Sequence, residues 1–304
     1  MIRRFFSALK GVAVMASRPR SFSALHVAVL AAALLVGTTF GFVASGIGVG
    51  SASPKPDRRA AAPPGFGKVV FLSHLNDPTR TPGFPGDPRF KTDVAFTVPR
   101  DGFYLQYVHE GEHTGTHWGA PCHFHVGAAC AGQLAAEDMV LPAVVVDIRP
   151  KRRENVDYRA TVADLEAWVA TYGPMPEGAA VILRTGCDRW WGPDASPTHR
   201  TYYNCGTGER GFHQPGFSLN AVRWLIEQGV LADRGALGTD TFGPDPGTDA
   251  SFRESSLVFH RHRIDLENLT NLGSLPPSGA WILVGGPRNL RGSGSPGTIF
   301  GLVP

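Results

Sequence analysis

The spacing of apolar residues predicts a chain of many short strands with two substantial helices. Short runs of branched and aromatic residues, bounded by glycine, proline or polar turn residues, predict strands. These strands cover residues 69–72, 94–98, 103–108, 143–148, 179–183, 256–260, 281–284 and 299–303. Apolar residues at helical spacing follow Thr161 and Ser218, whose hydroxyls can cap the first turn of a helix. Gly173 and Pro174 end the first of these helices.

This order of elements predicts a mixed α/β fold, with a mixed sheet packed by helices on one side in a single domain. The run at 143–148 is almost continuously apolar, as expected for a strand that is covered on both faces. The 37 glycines and 25 prolines favour short elements joined by defined turns. The 304 residues carry a formal net charge of +3 without a basic face interleaved with aromatic residues, so we expect no nucleic-acid partner.

The first fifty residues differ in character from the rest of the chain. A basic lead that includes Arg3 and Arg4 precedes a run from 24 to 49 in which His26 is the one titratable side chain. This pattern predicts a signal peptide or membrane anchor at 1–50, and the arginine pair resembles a twin-arginine signal. Residues 51–67, rich in proline, alanine and charge, predict a disordered linker to a domain at 68–304. We expect an extracytoplasmic protein, secreted or anchored by an uncleaved N-terminal helix.

Four cysteines suit an oxidising compartment. Pairing Cys122 with Cys130 and Cys187 with Cys205 is the sequence-local choice among three possible pairings. None of the four belongs to a Cys-x-x-Cys motif, so a cysteine metal centre is not expected.

Three histidines lie close together in residues 113–123, which read His-Thr-Gly-Thr-His-Trp-Gly-Ala-Pro-Cys-His. A neutral imidazole binds Zn²⁺ or Mn²⁺ through one ring nitrogen while a second group holds the other nitrogen. Histidines that converge from a stiff turn therefore make a ligand set. The alternative is a polar loop with solvated imidazoles. We predict a metal site here.

This run and several later segments resemble the cyclase-like metal hydrolases, the family of bacterial kynurenine formamidases and isatin hydrolases. The family signature is H-x-G-T-H-x-D-x-P-x-H, and residues 113–123 match most of it. Further landmarks of the family follow in order at 71–74, 82–88, 183–186, 215–218, 238–241, 266–272 and 292–296. The resemblance spans about residues 69–304.

The resemblance implies a swivelling β/β/α-type fold, a homo-oligomer, and zinc- or manganese-dependent hydrolysis of amide or lactam bonds. It implies that His113 and His117 are metal ligands and that His123 is the catalytic acid and base. It also implies that Glu267 is a ligand of a second metal. The alternative for His123 is a structural imidazole that bonds a loop carbonyl.

Two positions depart from the family pattern. The signature aspartate, a metal ligand in the family, falls at Gly119, which has no side chain. Counted back from Glu267, the histidine ligand of the second metal falls near Ser255, while His260 and His262 lie a few residues later. Substituting aspartate at position 119 is expected to tighten metal binding if a carboxylate is missing there. Candidate substitutes for that carboxylate are Asp240, Asp245 and Glu267.

The expected activity is a metal-dependent amide hydrolase resembling kynurenine formamidase, which converts N-formylkynurenine to kynurenine and formate in tryptophan catabolism. One alternative is a lactam or ester hydrolase of the isatin type, and another is a non-catalytic extracytoplasmic binding protein on the same fold. The expected partner is a small aromatic amide. Trp118 and Trp191 are the candidate substrate contacts, although tryptophan is also common in cores.

Overall fold

A nine-stranded mixed sheet forms the frame of the chain in the computed structural model, which describes residues 65–192 and 201–304. Its strands, in spatial order, are β1 (Lys68–Phe71), β13 (Ile299–Val303), β11 (Trp281–Val284), β5 (Val140–Asp147), β7 (Ala180–Arg184), β9 (Ala236–Thr239), β10 (Ile264–Glu267), β4 (His117–Gly119) and β12 (Gly294–Pro296). Strands β5, β7, β9 and β10 run parallel, and the remaining pairings are antiparallel. The predicted mixed α/β fold is confirmed.

Two smaller strand pairs and five helices complete the described elements. The pairs are the antiparallel hairpin of β2 (Lys91–Phe96) with β3 (Leu105–His109), and the parallel pair of β6 (Arg159–Ala160) with β8 (Gly216–Phe217). The helices are α1 (Val98–Asp101), α2 (Arg149–Glu154), α3 (Val162–Tyr172), α4 (Leu219–Glu227) and α5 (Arg253–Val258). Thr161 and Ser218 cap α3 and α4 through their hydroxyls, as the sequence predicts.

The central strand β5 is buried on both faces. Val144 and Val146 pack into the cluster that α3 and α4 cover, whereas Ala143 and Val145 pack into a second cluster on the opposite face. Alternate residues of a strand point to opposite faces, so an unbroken apolar run supplies both clusters. The buried strand β5 thus anchors the parallel part of the sheet. The functional residues described below lie on or near neighbouring strands of that sheet.

The prediction of a strand at 256–260 is wrong, because helix α5 covers residues 253–258. The carboxylate of Asp245 accepts the backbone N–H of Glu254 at 2.9 Å and that of Ser255 at 3.3 Å. A carboxylate satisfies the free N–H groups of a first helical turn, and this contact lies outside the local pattern.

The predictions for residues 1–50 and for most of the linker lie outside the described residues. Among the residues described, none of the helices combines the length and the apolar character needed to cross a bilayer. Disulfides join Cys122 to Cys130 and Cys187 to Cys205, which is the sequence-local pairing.

Candidate active site

A tight turn leads into His117, the first residue of β4. Gly115 at the centre of this turn has a φ of +64°, and a β-carbon there would overlap the side-chain oxygen of Asn76. Glycine is therefore the residue that fits. The hydroxyl of Thr116 donates to the carbonyl of Asn268 at 2.6 Å, so the turn is tied to the chain just beyond the end of β10.

A chain of hydrogen bonds orients His113. The hydroxyl of Ser293 donates to the carboxylate of Glu112 at 2.9 Å and lies 2.9 Å from Nε2 of His113. The hydroxyl hydrogen of Ser293 is used in its bond to the carboxylate, so the hydroxyl oxygen accepts a hydrogen bond from Nε2–H of His113. Nδ1 of His113 then keeps its lone pair. Burial lowers the pKa of His113 to about 2, with the charges of His117 and His123 as smaller causes. The ring is therefore neutral and able to ligate a metal.

The second histidine of the motif presents a lone pair to Glu267. His117 donates from Nδ1 to the carbonyl of Gly115 at 2.9 Å, so Nε2 of the neutral ring carries no proton. Nε2 lies 3.1 Å from Oε2 of Glu267, within ion-pair distance, but without the direction of a hydrogen bond. Burial lowers the pKa of His117 and raises the pKa of Glu267 to about 8. Two buried acceptors that face each other need a proton or a cation between them.

The donors in this place suit a divalent cation. Imidazole nitrogen and carboxylate oxygen are both zinc ligands, and the unpaired Nε2 of His117 opposite Glu267 fits such an ion. As the side chains stand, no group of three or more His, Cys, Asp or Glu residues in 65–192 and 201–304 is spaced to hold a metal. The ring centroids of His113 and His117 are 5.0 Å apart. A third ligand for one cation would therefore require a movement of a side chain towards Nε2 of His117 and Glu267.

A carboxylate that the sequence analysis did not single out lies beside this pair. Asp265 and Glu267 are two residues apart on β10, so their side chains lie on the same face. Asp265 is 2% exposed, and its Oδ1 accepts the backbone N–H of Gly119 at 2.7 Å. Burial and the charge of Glu267, to which it is hydrogen-bonded, raise the pKa of Asp265 well above its usual value. The alternation Ile-Asp-Leu-Glu at 264–267 was the available signal.

His123 lies next to His113 at the mouth of the site. It ends the short 3-10 turn Pro121–His123, and its ring stacks on that of His113 with 4.0 Å between centroids. Burial lowers the pKa of His123, the charge of His117 lowers it further, and Glu112 opposes the change. A neutral imidazole at neutral pH can accept a proton.

The three histidines and Glu267 line a cavity of about 490 Å³, and aromatic side chains form another part of its wall. Phe84 lies 5.6 Å from Phe212, 5.9 Å from Phe242 and 6.2 Å from Phe252, measured between ring centroids. Offset and edge-to-face rings of this kind accommodate a flat aromatic molecule. Sequence reasoning missed this wall because its members lie in separate loops. The signal was the glycine that lies directly beside each of Phe84, Phe212 and Phe242.

Neither of the two predicted tryptophans lines this cavity. Trp118 is 1% exposed and belongs to the hydrophobic core, because it points away from the face that His117 occupies on β4. Trp191 stacks on His74 with 4.0 Å between centroids and meets the ring of Tyr202 edge-on. Phenylalanine therefore lines this cavity, and neither predicted tryptophan does.

The second-metal histidine has no counterpart at the cavity. Ser255 occupies that wall, and its hydroxyl is hydrogen-bonded to Asp245. His260 and His262 are exposed and do not line the cavity, and the ring of His260 stacks on that of His125. Neither of them therefore takes the place of that histidine at the cavity wall.

Two of the three candidate substitutes for the missing carboxylate are engaged elsewhere. Asp240 is buried and accepts the backbone N–H groups of Thr185 and Gly186 at 2.9 and 2.7 Å. Asp245 lines the cavity, but its oxygens hold the first turn of α5. Glu267 remains, and it contacts His117 directly.

Comparison with known proteins shows which family and which characterised enzymes this chain resembles. The family model described as Cyclase, "Putative cyclase", matches residues 70–246. The chain is 30% identical to isatin hydrolase of Roseibium aggregatum over 200 residues, which cover 64% of this chain and 73% of that protein. It is 25% identical to kynurenine formamidase of Bordetella avium over 198 residues, which cover 63% and 78%.

Similarity extends to a solved structure, isatin hydrolase A from Labrenzia aggregata bound to benzyl benzoate. Its TM-score with this chain is 0.68 at 27% identity, and the match covers 78% of this chain and 93% of that structure. The matched family model spans the histidine turn, His123 and the loops that carry Phe84, Phe212 and Phe242. The chain belongs to the Cyclase family of hydrolases.

Proposed function

We propose that this protein is a metal-dependent hydrolase that opens the amide bond of a fused aryl lactam of the isatin type. The observation that supports this most directly is the unpaired Nε2 of His117 facing Glu267 at the base of a phenylalanine-walled cavity. Hydrolysis of an aryl amide uses a pair of side chains that can hold a cation, an unprotonated imidazole such as that of His123, and an aromatic wall for the ring.

His117 and Glu267 would hold the cation, with Nδ1 of His113 as the next donor. When bound, a divalent cation supplies Lewis acidity, which polarises the substrate carbonyl and makes water a stronger nucleophile at neutral pH. Ser293 fixes the His113 ring through its hydrogen bond to Nε2, and the Gly115 carbonyl does the same for His117 through Nδ1. Each ligand imidazole is thus held by its second nitrogen, as in other metal sites.

His123 would carry the proton. The water oxygen forms a bond to the carbonyl carbon while the imidazole of His123 accepts the water proton. The carbon–nitrogen bond then breaks as His123 returns that proton to the leaving nitrogen, which yields an amine and a carboxylic acid, and the acid releases its remaining proton to water to become a carboxylate. The lowered pKa of His123 keeps its lone pair available at neutral pH, and the ring lies at the cavity wall.

An N-formyl aryl amine is the second candidate substrate. The 25% identity to kynurenine formamidase favours it, and the same residues would cleave its amide bond. The sequence motifs alone favour this activity, whereas the 30% identity to isatin hydrolase supports the lactam as the first candidate.

The experiment compares isatin with N-formylkynurenine as substrates of the purified full chain, first treated with chelator and then reloaded with Mn²⁺ or Zn²⁺. We expect metal-dependent turnover with kcat/KM higher for isatin. Phe84→Ala is expected to raise KM for both substrates, because it removes the ring at the centre of the aromatic wall. Absence of turnover of either substrate by protein that has bound metal would refute the activity and favour the non-catalytic binding protein.

We also propose an extracytoplasmic location. Disulfides Cys122–Cys130 and Cys187–Cys205 are typical of an oxidising compartment, and the basic and apolar pattern of residues 1–50 suits export. A fusion of residues 1–67 to alkaline phosphatase should be active in a bacterial host, and an inactive fusion would contradict export.

Homo-oligomer formation is proposed at the hairpin of β2 and β3. Its exposed apolar side chains include Val94, Phe96, Leu105, Tyr107 and Val108. A clustered apolar surface of this kind is typical of a contact between proteins. Light scattering should show an oligomer that Phe96→Glu weakens, and a wild-type monomer at micromolar concentration would contradict this.

A further inference from the structure

We propose that Asp265 supplies the carboxylate of this metal site, so that the ligand expected at position 119 has moved to the adjacent strand. The inference rests on the metal dependence in the proposed function. It concerns a residue that no motif marks, and it explains why glycine stands at position 119.

The register of β4 with β10 places the relevant side chains together. His117 pairs with Glu267, and Gly119 pairs with Asp265. Residues two apart on a strand point to one face, and residues paired across two strands share that face. The side chains of His117, Glu267 and Asp265 therefore lie on the same surface of the sheet, and position 119 completes the square.

Space at this corner of the square allows one carboxylate. A β-carbon on Gly119 would overlap Oδ1 of Asp265 and would lie 3.1 Å from Cζ of Phe259. The carboxylate of Asp265 therefore fills the volume that a side chain at 119 would enter. Glycine at position 119 leaves room for the side chain of Asp265, and the backbone N–H of Gly119 donates to that carboxylate at 2.7 Å. The expectation that Gly119→Asp alone tightens metal binding conflicts with this packing.

The orientation of Asp265 suits a ligand role. One oxygen is held by the N–H of Gly119, and the carboxyl group is hydrogen-bonded to Glu267, whose Oε2 lies 3.1 Å from the unpaired Nε2 of His117. Asp265 thus adjoins Glu267, and Glu267 adjoins Nε2 of His117, so that a movement of these side chains within the described part of the chain would bring all three to one cation. A divalent cation compensates two buried negative charges that otherwise must be protonated.

The test measures metal binding by isothermal titration calorimetry and by metal content after dialysis, using chelator-treated full-length protein with Mn²⁺ and with Zn²⁺. The variants are Asp265→Asn, Gly119→Asp, and the exchange Gly119→Asp with Asp265→Gly. Asp138→Asn is the matched control, because Asp138 is also 2% exposed and accepts a backbone N–H, that of Ala135 at 2.8 Å. Circular dichroism establishes that each variant is folded.

Asp265→Asn is expected to weaken metal binding at least about tenfold, since even outer ligands of metal sites contribute about 10–100-fold. Gly119→Asp alone should weaken it as well or fail to fold, and the exchange should restore binding to within about threefold of wild type. Asp138→Asn should bind as wild type.

Wild-type stoichiometry and affinity in Asp265→Asn would overturn the inference, as would tighter binding by Gly119→Asp alone. If Asp265→Asn does not fold, the exchange variant decides, because a folded exchange protein that binds no metal also overturns it. Metal uptake by wild type without hydrolysis of either substrate refutes the proposed function and leaves this inference standing. Absence of metal uptake by wild type refutes both.

Discussion

Protonation of His74 is expected to lower the stability of this fold at acidic pH, and His74→Phe should remove that contribution. The ring lies parallel to Trp191, with 4.0 Å between centroids and an angle of 2°. Its Nε2 is buried without a hydrogen-bond partner, and burial lowers the pKa of His74 from 6.5 to about 4. Protonation in the native state would therefore place a buried N–H without a hydrogen-bond partner, and its charge, beside an aromatic ring.

The direction of the effect follows from which state binds the proton first. The unfolded chain takes it up near pH 6.5, whereas the folded protein resists until about pH 4. The free energy of unfolding is thus unaffected above pH 6.5 and falls as the pH drops towards 4. A difference of about 2.5 pKa units at about 1.36 kcal/mol each amounts to about 3.4 kcal/mol well below pH 4, of which about 2.5 kcal/mol is reached by pH 4.5. This is an upper value, because the side chain is partly exposed and water screens the charge.

Urea denaturation at pH 7.5, 6.0 and 4.5 in the presence of chelator measures the effect. The stability of His74→Phe relative to wild type should rise by up to about 2.5 kcal/mol from pH 7.5 to pH 4.5, because phenylalanine keeps the stacked ring and does not titrate. His74→Gln serves as the control. Glutamine lacks the ring and does not titrate either, so the stability of this variant relative to wild type should change with pH as that of His74→Phe does. Parallel pH profiles for wild type and both variants would refute the reasoning.

Three other predictions concern the site and its frame. His117→Ala should lose both metal uptake and hydrolysis, because it removes the nitrogen opposite Glu267; metal-dependent turnover that survives would contradict the ligand assignment. His123→Ala should keep the metal and lose about 10²–10⁴-fold in kcat, and loss of metal as well would make His123 a ligand instead of the acid and base. Replacing Cys187 and Cys205 by serine opens a loop that spans 18 residues. It should lower the free energy of unfolding by about 3 kcal/mol in urea, and an unchanged midpoint would contradict this.

Elements whose causes are local could be predicted from the sequence. The apolar run of β5 and the capped pattern of α3 each lie within a dozen residues, and the structure has them close to the predicted bounds. The histidines of the site could also be predicted, because one turn with Gly115 at its centre brings His113 and His117 together. In these cases neighbours along the chain carry the information.

The surroundings of those histidines depend on contacts between residues that are distant in the sequence. Asp265 meets Gly119 across 146 positions of sequence, and only the pairing of β4 with β10 makes them neighbours. Alternation along a strand shows which side chains share a face. It does not show which strand lies beside it or which of the two faces is the core. For this reason Trp118 is predicted at the cavity from the sequence, whereas in the structure it is buried in the core. The aromatic wall likewise joins loops that are brought together by packing of the whole sheet, because long-range contacts are set by the fold and not by local preference.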